Sequence, residues 1–262
     1  MEARMDGRIA LITGGSEGLG RAMAETFARA GADVAIAARR RDVLARTAEE
    51  IAAASGRRVI GYPADVADAH EVAALWRAVI EDFGRIDVLV NNAGTSQTAP
   101  FEEITDEVWQ ADLDLKLFAA IRLCRLAMPG MKERRWGRII NILNTAAKAP
   151  RAGSAPTAVS RAAGMALTKV LAGEGAPHNV LVNGLCTGII ESEQWTRRQQ
   201  KLAPEQSRED FLANMAKERG LPFGRLGTAQ EYANMACFLA SDAGSYISGT
   251  AINVDGNLSP VV

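Results

Sequence analysis

Arg8-Ile9-Ala10-Leu11-Ile12-Thr13-Gly14-Gly15-Ser16-Glu17-Gly18-Leu19-Gly20 runs from an apolar segment straight into a glycine cluster. The apolar half has the pattern of a parallel strand buried on both faces. After the glycines, Arg21 to Ala30 carries Ala, Met and Phe at helical spacing and stops at Gly31. Glycine admits backbone torsions closed to other residues and lets the chain approach a pyrophosphate closely. A helix opening there directs unpaired N–H groups and the positive end of its dipole at phosphate. The order strand, glycine cluster, helix predicts a phosphate cradle; a glycine turn made only for close packing is the alternative.

Outward from this unit, strand and helix patterns alternate. Strands are predicted at Asp33 to Ala38, Val59 to Tyr62, Ile86 to Val90, Gly137 to Leu143, Val180 to Leu185 and Thr250 to Val254. Helices are predicted at about Val43 to Ala54 and His70 to Phe83. Two long ones, about Thr105 to Lys132 and Ala155 to Gly173, flank the fifth strand. Such alternation predicts one α/β domain over 1–262, with a parallel sheet of about seven strands covered on both faces. The charged stretch 189–227, with Trp195 and Phe211 and no strand pattern, breaks the order. Ligands of doubly wound sheets sit beyond the carboxyl ends of the strands, so a helical lid is expected there. The alternative is a solvated excursion that touches nothing.

Composition excludes several other classes. The 262 residues carry a net charge of −1, so there is no long-range field to attract nucleic acid. No apolar run is long enough for a membrane helix. Met1 to Arg8 lacks the basic-then-apolar order of a secretory signal. Cys124, Cys186 and Cys237 are odd in number and far apart, and the only histidines are His70 and His178. Neither a disulfide framework nor a metal site is expected, and the reading is a reduced, cytoplasmic protein.

The motifs, in order, resemble the short-chain dehydrogenase/reductase family over nearly the whole chain. Thr13, Gly14, Gly18 and Gly20 match its T-G-x-x-x-G-x-G, and Asn91-Asn92-Ala93-Gly94 matches its N-N-A-G. Ala64-Asp65-Val66 looks like the acidic element that holds the adenine amine. Val182-Asn183 to Gly188 resembles the stretch beside the nicotinamide, with Thr187 where proline is usual. Gly224-Arg225-Leu226-Gly227, Glu231 and Val254-Asp255-Gly256 are also family-like. The resemblance implies a Rossmann-type doubly wound fold, a homo-oligomer (tetramer or dimer) and a small-molecule substrate. It assigns cofactor contacts to Gly14, Ser16, Glu17, Gly18, Leu19, Arg39, Asp65, Val66, Asn92, Ala93, Gly94, Arg161, Gly188 and Ile190.

An acidic residue at the end of the second strand would favour NAD(H). Ala38 and then Arg39-Arg40-Arg41 stand there, and guanidinium groups suit a 2′-phosphate, so NADP(H) is favoured over NAD(H). Glu17 argues the other way, since its carboxylate would repel that phosphate.

The resemblance also implies a catalytic Asn, Ser, Tyr and Lys, and this chain departs at all four. Lys116 falls at the asparagine, Asn144 at the serine with Thr145 beside it, Thr157 at the tyrosine and Arg161 at the lysine. A slipped alignment does not restore them. Tyr62, Tyr232 and Tyr246 are followed four positions later by Val66, Ala236 and Thr250, never by lysine. A threonine hydroxyl is too weak an acid to replace a phenol, and arginine stays charged. Lys116, if partly buried beside Arg161, becomes a conceivable general acid, with Asn144 and Thr157 as oxyanion donors. The competing reading has Lys116 in solvent and Arg161 paired with an acid. The favoured function is an NADP(H)-dependent oxidoreductase with rebuilt proton chemistry, acting on a small apolar carbonyl, alcohol or imine; a dinucleotide-binding regulatory protein and a non-redox lyase or isomerase are the alternatives.

Overall fold

The structure is a computed structural model that describes residues 3–262, apart from the side chains of residues 193, 194 and 196–198. Met1 and Glu2, where the amino-terminal reading begins, lie outside the described residues. Seven strands are present among those described: β1 (Ile9–Thr13), β2 (Asp33–Ala38), β3 (Val59–Pro63), β4 (Val88–Asn91), β5 (Gly137–Asn144), β6 (Val180–Thr187) and β7 (Ala251–Val254). All pair in parallel in one sheet of order β3-β2-β1-β4-β5-β6-β7. Every residue of β1 and β4 is buried, as a sheet covered on both faces requires.

One face is covered by α1 (Gly18–Arg29), α2 (Arg41–Ser55) and α9 (Ala229–Ala240), through Met23, Phe27, Leu44, Ile51, Tyr232 and Leu239. The other is covered by α3 (Ala69–Phe83), α5 (Ala119–Glu133) and α6 (Thr157–Gly175), through Val72, Leu75, Val79, Leu123, Met131 and Ala172. Each fully buried aliphatic or aromatic side chain contributes about 1.5–3 kcal/mol. Strand order reverses between β1 and β4, so the loops leaving their carboxyl ends part and open a crevice.

Four departures from the sequence reading bear on the site. The helix after the glycines begins at Gly18 rather than Arg21, so the last glycines belong to its first turn. The helix expected over Thr105 to Lys132 is α4 (Asp106–Leu113), a π-turn (Asp114–Phe118) and then α5. Strand β6 continues to Thr187, bringing that residue to the carboxyl edge. Helix α9, absent from the sequence reading, starts at a capping box in which Thr228 and Glu231 bond each other's backbone N–H.

The 189–227 excursion is helical. It holds α7 (Glu193–Leu202) and α8 (Arg208–Glu218) around a small core of Leu212, Met215, Ala216 and Leu226, joined by Trp195 and Phe211. Its two ends meet in a parallel bridge between Ile190 and Gly227, with Glu191 N donating to Gly227 O at 2.8 Å. The excursion leaves from the end of β6, the same edge of the sheet as the glycine loop.

Candidate active site

The loop after β1 is shaped by steric need. Gly14 and Gly18 sit at φ +64° and +54°, the left-handed region that disfavours side chains. A Cβ on Gly20 would lie 2.0 Å from Gly14 O and 2.6 Å from Asn92 Nδ2, so only glycine fits the helix's first turn there. Thr13 Oγ1 accepts from Asn92 N and Ala93 N, each at 3.0 Å, and so ties β4's exit to β1's. Asn92 Nδ2 donates to Thr13 O at 2.9 Å and Gly14 O at 3.1 Å. The Asn92 amide thus braces the loop itself. Leu19 packs against the core beneath.

A cleft of about 490 Å³ opens beside this loop. Of the residues expected to touch a cofactor, Gly14, Ser16, Glu17, Arg39, Asp65, Val66, Ala93 and Gly94 line it. Gly18, Leu19, Asn92 and Arg161 do not, nor do Gly188 and Ile190, which lie at the root of the excursion. There Gly188 packs so closely on Asp255 that a Cβ would come within 2.5 Å of its Cα. The far wall is fixed by α3's cap, Asp68, which accepts from His70 N at 2.6 Å, while Asp65 accepts from Ala67 N at 3.0 Å.

Glu17 does not stand alone at the mouth. Its carboxylate is ion-paired with Arg40, so the charge that weighed against a 2′-phosphate is neutralised within the chain. Arg39 is mostly exposed, with Nη1 4.0 Å from Asp65 Oδ2.

Deeper in, five side chains from α4, the π-turn and α6 meet. Asp112 ends α4's buried face, Lys116 sits in the π-turn, and α6 brings Thr157, Ser160 and Arg161. Lys116 Nζ bonds Asp112 Oδ1 and donates to Thr157 Oγ1 at 2.7 Å. Thr157 Oγ1 in turn donates to Gln97 O at 2.7 Å and accepts from Gln97 N at 3.1 Å. Ser160 Oγ donates to the other carboxylate oxygen of Asp112 at 2.6 Å. The Lys116 and Asp112 side chains are each 1% exposed, so the reading that placed Lys116 in solvent is overturned.

Burial pushes the Lys116 ammonium below its ordinary range; the Asp112 carboxylate opposes this and the Arg161 charge adds to it. Arg161 Nη1 donates to Ile142 O at 2.6 Å, and its guanidinium lies against Gly94, where a Cβ would be 2.4 Å from Nη2. Among the described residues no acid pairs with it, contrary to the competing expectation. Asn144, last in β5, has a buried Oδ1 without a hydrogen-bond partner among the described residues.

No tyrosine substitutes for a missing phenol. Tyr62 donates to Asp82 at 2.7 Å beyond the cleft, and Tyr246 is wholly exposed. Tyr232 is buried in α9, donates to Leu185 O and accepts from Thr187 Oγ1, both at 2.9 Å. Burial pushes its phenol far above the ordinary value. Sequence reasoning missed Asp112, Ser160 and Gln97. Asp112 and Lys116 stand four apart, the spacing of helical ion pairs, but the pattern does not say that such a pair is buried.

Residues 8–203 match the model of a family described as short chain dehydrogenase. The chain belongs to the short-chain dehydrogenase family. This short-chain dehydrogenase is 34% identical over 258 residues to the 3-oxoacyl-(acyl-carrier-protein) reductase FabG of Thermotoga maritima, covering 97% of this chain and 99% of the relative. In structure it resembles L-sorbose reductase from Gluconobacter frateurii complexed with NADPH and L-sorbose: TM-score 0.95, 35% identity, 100% of both chains. It also resembles an NADPH-bound short-chain oxidoreductase from Pseudomonas aeruginosa containing an atypical catalytic centre: TM-score 0.91, 34% identity, 99% of both chains. Neither a transmembrane-length apolar helix nor a metal-binding cluster is present among the described residues.

Proposed function

We propose that the chain is an NADP(H)-dependent oxidoreductase that moves hydride to or from a small carbonyl, alcohol or imine, with Lys116 handling the proton. The observation that carries this reading is the buried Lys116 ammonium, 2.7 Å from the Thr157 hydroxyl. NADPH in the L-sorbose reductase and Pseudomonas aeruginosa structures supports the choice of cofactor. The fit rests on this chain: a loop that excludes a Cβ at Gly20, the N-terminus of α1, and Arg39 at the end of β2.

In this reading the glycine loop and α1 N–H groups hold the pyrophosphate and Arg39 the 2′-phosphate. Asp65 takes the adenine amine, and Ala93, Gly94 and Arg161 flank the inner half. When bound, the nicotinamide supplies or accepts hydride. Lys116 gives a proton to the substrate oxygen or nitrogen during reduction and takes it back during oxidation. Thr157 orients that ammonium, Asn144 offers an amide to the substrate, and the 189–227 excursion shields the site from water. The test is a carbonyl and imine panel followed by nicotinamide absorbance. Binding of NADPH without turnover of any member refutes hydride chemistry and favours a dinucleotide-binding role, which the closed hydrogen-bond network around Thr157 supports. Substrate loss without absorbance change points instead to a lyase or isomerase.

Arg39→Ala separates the two dinucleotides. A charge-assisted phosphate contact is worth about 1.5–3 kcal/mol, so NADPH affinity falls about 10- to 100-fold while NADH affinity holds. Titration calorimetry with both cofactors checks this; equal losses for the two would remove Arg39 from the 2′-phosphate site.

A homo-oligomer is part of the same proposal. Leu126 of α5 and Val170 of α6 are exposed beside a groove lined by Ile121, Met128, Leu167 and Leu171, apolar surface suited to a second copy.

A further inference from the structure

We infer that Asp112, clamped by Ser160, is the positioning residue that holds the Lys116 ammonium against Thr157. The inference rests on the reading that Lys116 handles the proton, and it adds two residues to which neither motif nor alignment gives a role.

The geometry makes the case. A buried ammonium is tolerated only with a counter-charge and satisfied hydrogens. Asp112 supplies the charge, and both its oxygens are occupied, Oδ1 by Lys116 and Oδ2 by Ser160 at 2.6 Å. Ser160 lies 48 residues away in sequence, on α6, so its bond locks the carboxylate of α4 to the helix that carries Thr157. α6 thereby both holds the carboxylate, through Ser160, and receives the ammonium, through Thr157. Lys116 occupies a π-turn, a local widening found often at functional sites.

The charges around Lys116 are few and can be named. Asp112 comes from α4 and Arg161 from α6, with the Tyr232 phenol of α9 facing Arg161 from behind. The loop after β4 brings Gly94 and the Gln97 backbone, neither of them charged. Asp112 is the one group among these that favours the ammonium, against burial and Arg161. Removing its charge therefore moves Lys116 deprotonation to lower pH. Reduction needs the ammonium, so the alkaline limb of its pH profile moves to lower pH as well. Oxidation needs the neutral amine, so its acid limb extends in the same direction. Reduction thus loses pH range and oxidation gains it, which a merely loosened fold does not produce.

The experiment follows Lys116 directly in the full chain with NADPH bound. The chain has six lysines, so isotopically labelled lysine side chains give few NMR signals, and Lys116→Met assigns the one of interest. In Asp112→Asn the Lys116 titration falls by about one pH unit or more, the scale of a close opposite charge. Ser160→Ala moves it the same way by less, and stands in if Asp112→Asn does not fold. Unmoved titration in the variants overturns the inference, even if the wild type reduces carbonyls and the proposed function stands. A moved titration in a wild type that turns over no substrate upholds Asp112 as the positioning residue while the proposed function fails.

Discussion

Lys116→Met lowers kcat for carbonyl or imine reduction by about 100- to 10,000-fold, the span of a lost general acid. NADPH affinity changes little, because Lys116 does not line the cleft proposed for the dinucleotide. The same substitution leaves the Asp112 carboxylate buried without its partner, which costs about 3–5 kcal/mol of stability. Activity and stability must therefore be separated. The double variant Lys116→Met with Asp112→Asn removes both charges and recovers much of the lost stability while remaining inactive. Steady-state kinetics with circular dichroism on both variants checks this. A single variant that keeps wild-type kcat removes Lys116 from the chemistry; a double variant that regains activity makes the single defect one of folding.

Gly20→Ala abolishes the rise in melting temperature that NADPH produces in the wild type. Its Cβ would fall 2.0 Å from Gly14 O and 2.6 Å from Asn92 Nδ2. Neither atom yields cheaply: Gly14 O is backbone, and Asn92 Nδ2 is bonded to Thr13 O and to Gly14 O itself. Such overpacking costs about 1–3 kcal/mol, which lowers the melting temperature of a chain this size by about 2–4 °C for each kcal/mol. The larger effect is on binding, because the displaced carbonyl spreads the cradle. Gly18→Ala is the contrast, since its Cβ would meet open space and only the positive φ is strained. That variant keeps measurable NADPH binding. A Gly20→Ala protein that NADPH stabilises as fully as the wild type would contradict the steric account.

How far the sequence can be read depends on the distance over which each feature is encoded. The β1–glycine–α1 unit is contiguous, and its periodicities and glycines carry the fold with little help. The alternation of later strands is equally local, so the parallel sheet was legible from Asp33 to Val254. Helix α9 carries a local signal as well, Thr228 and Glu231 at capping-box spacing ahead of apolar Tyr232, Ala236 and Leu239. The absence of a usable tyrosine is a fact of composition, visible without structure. Asp112 and Ser160 were not legible, because their bond spans 48 residues and depends on how α4 faces α6. Glu17 is a related case. Its repulsion of phosphate is a correct local inference, cancelled by Arg40 across 23 residues.

The bridge between Ile190 and Gly227 has an evolutionary meaning. The helical hairpin between them leaves and rejoins the scaffold at adjacent points and packs on its own small core. Its length and sequence can therefore drift, or be exchanged for another hairpin, with little disturbance to the sheet, because closing a longer loop costs only about 0.6 kcal/mol per doubling. The glycine loop after β1 has no such freedom, since Gly14 and Gly20 are hemmed in by Asn92, Ala93 and the Gly14 carbonyl. If the excursion is the substrate lid proposed above, selection can retune substrate choice at one cassette while leaving the glycine loop untouched.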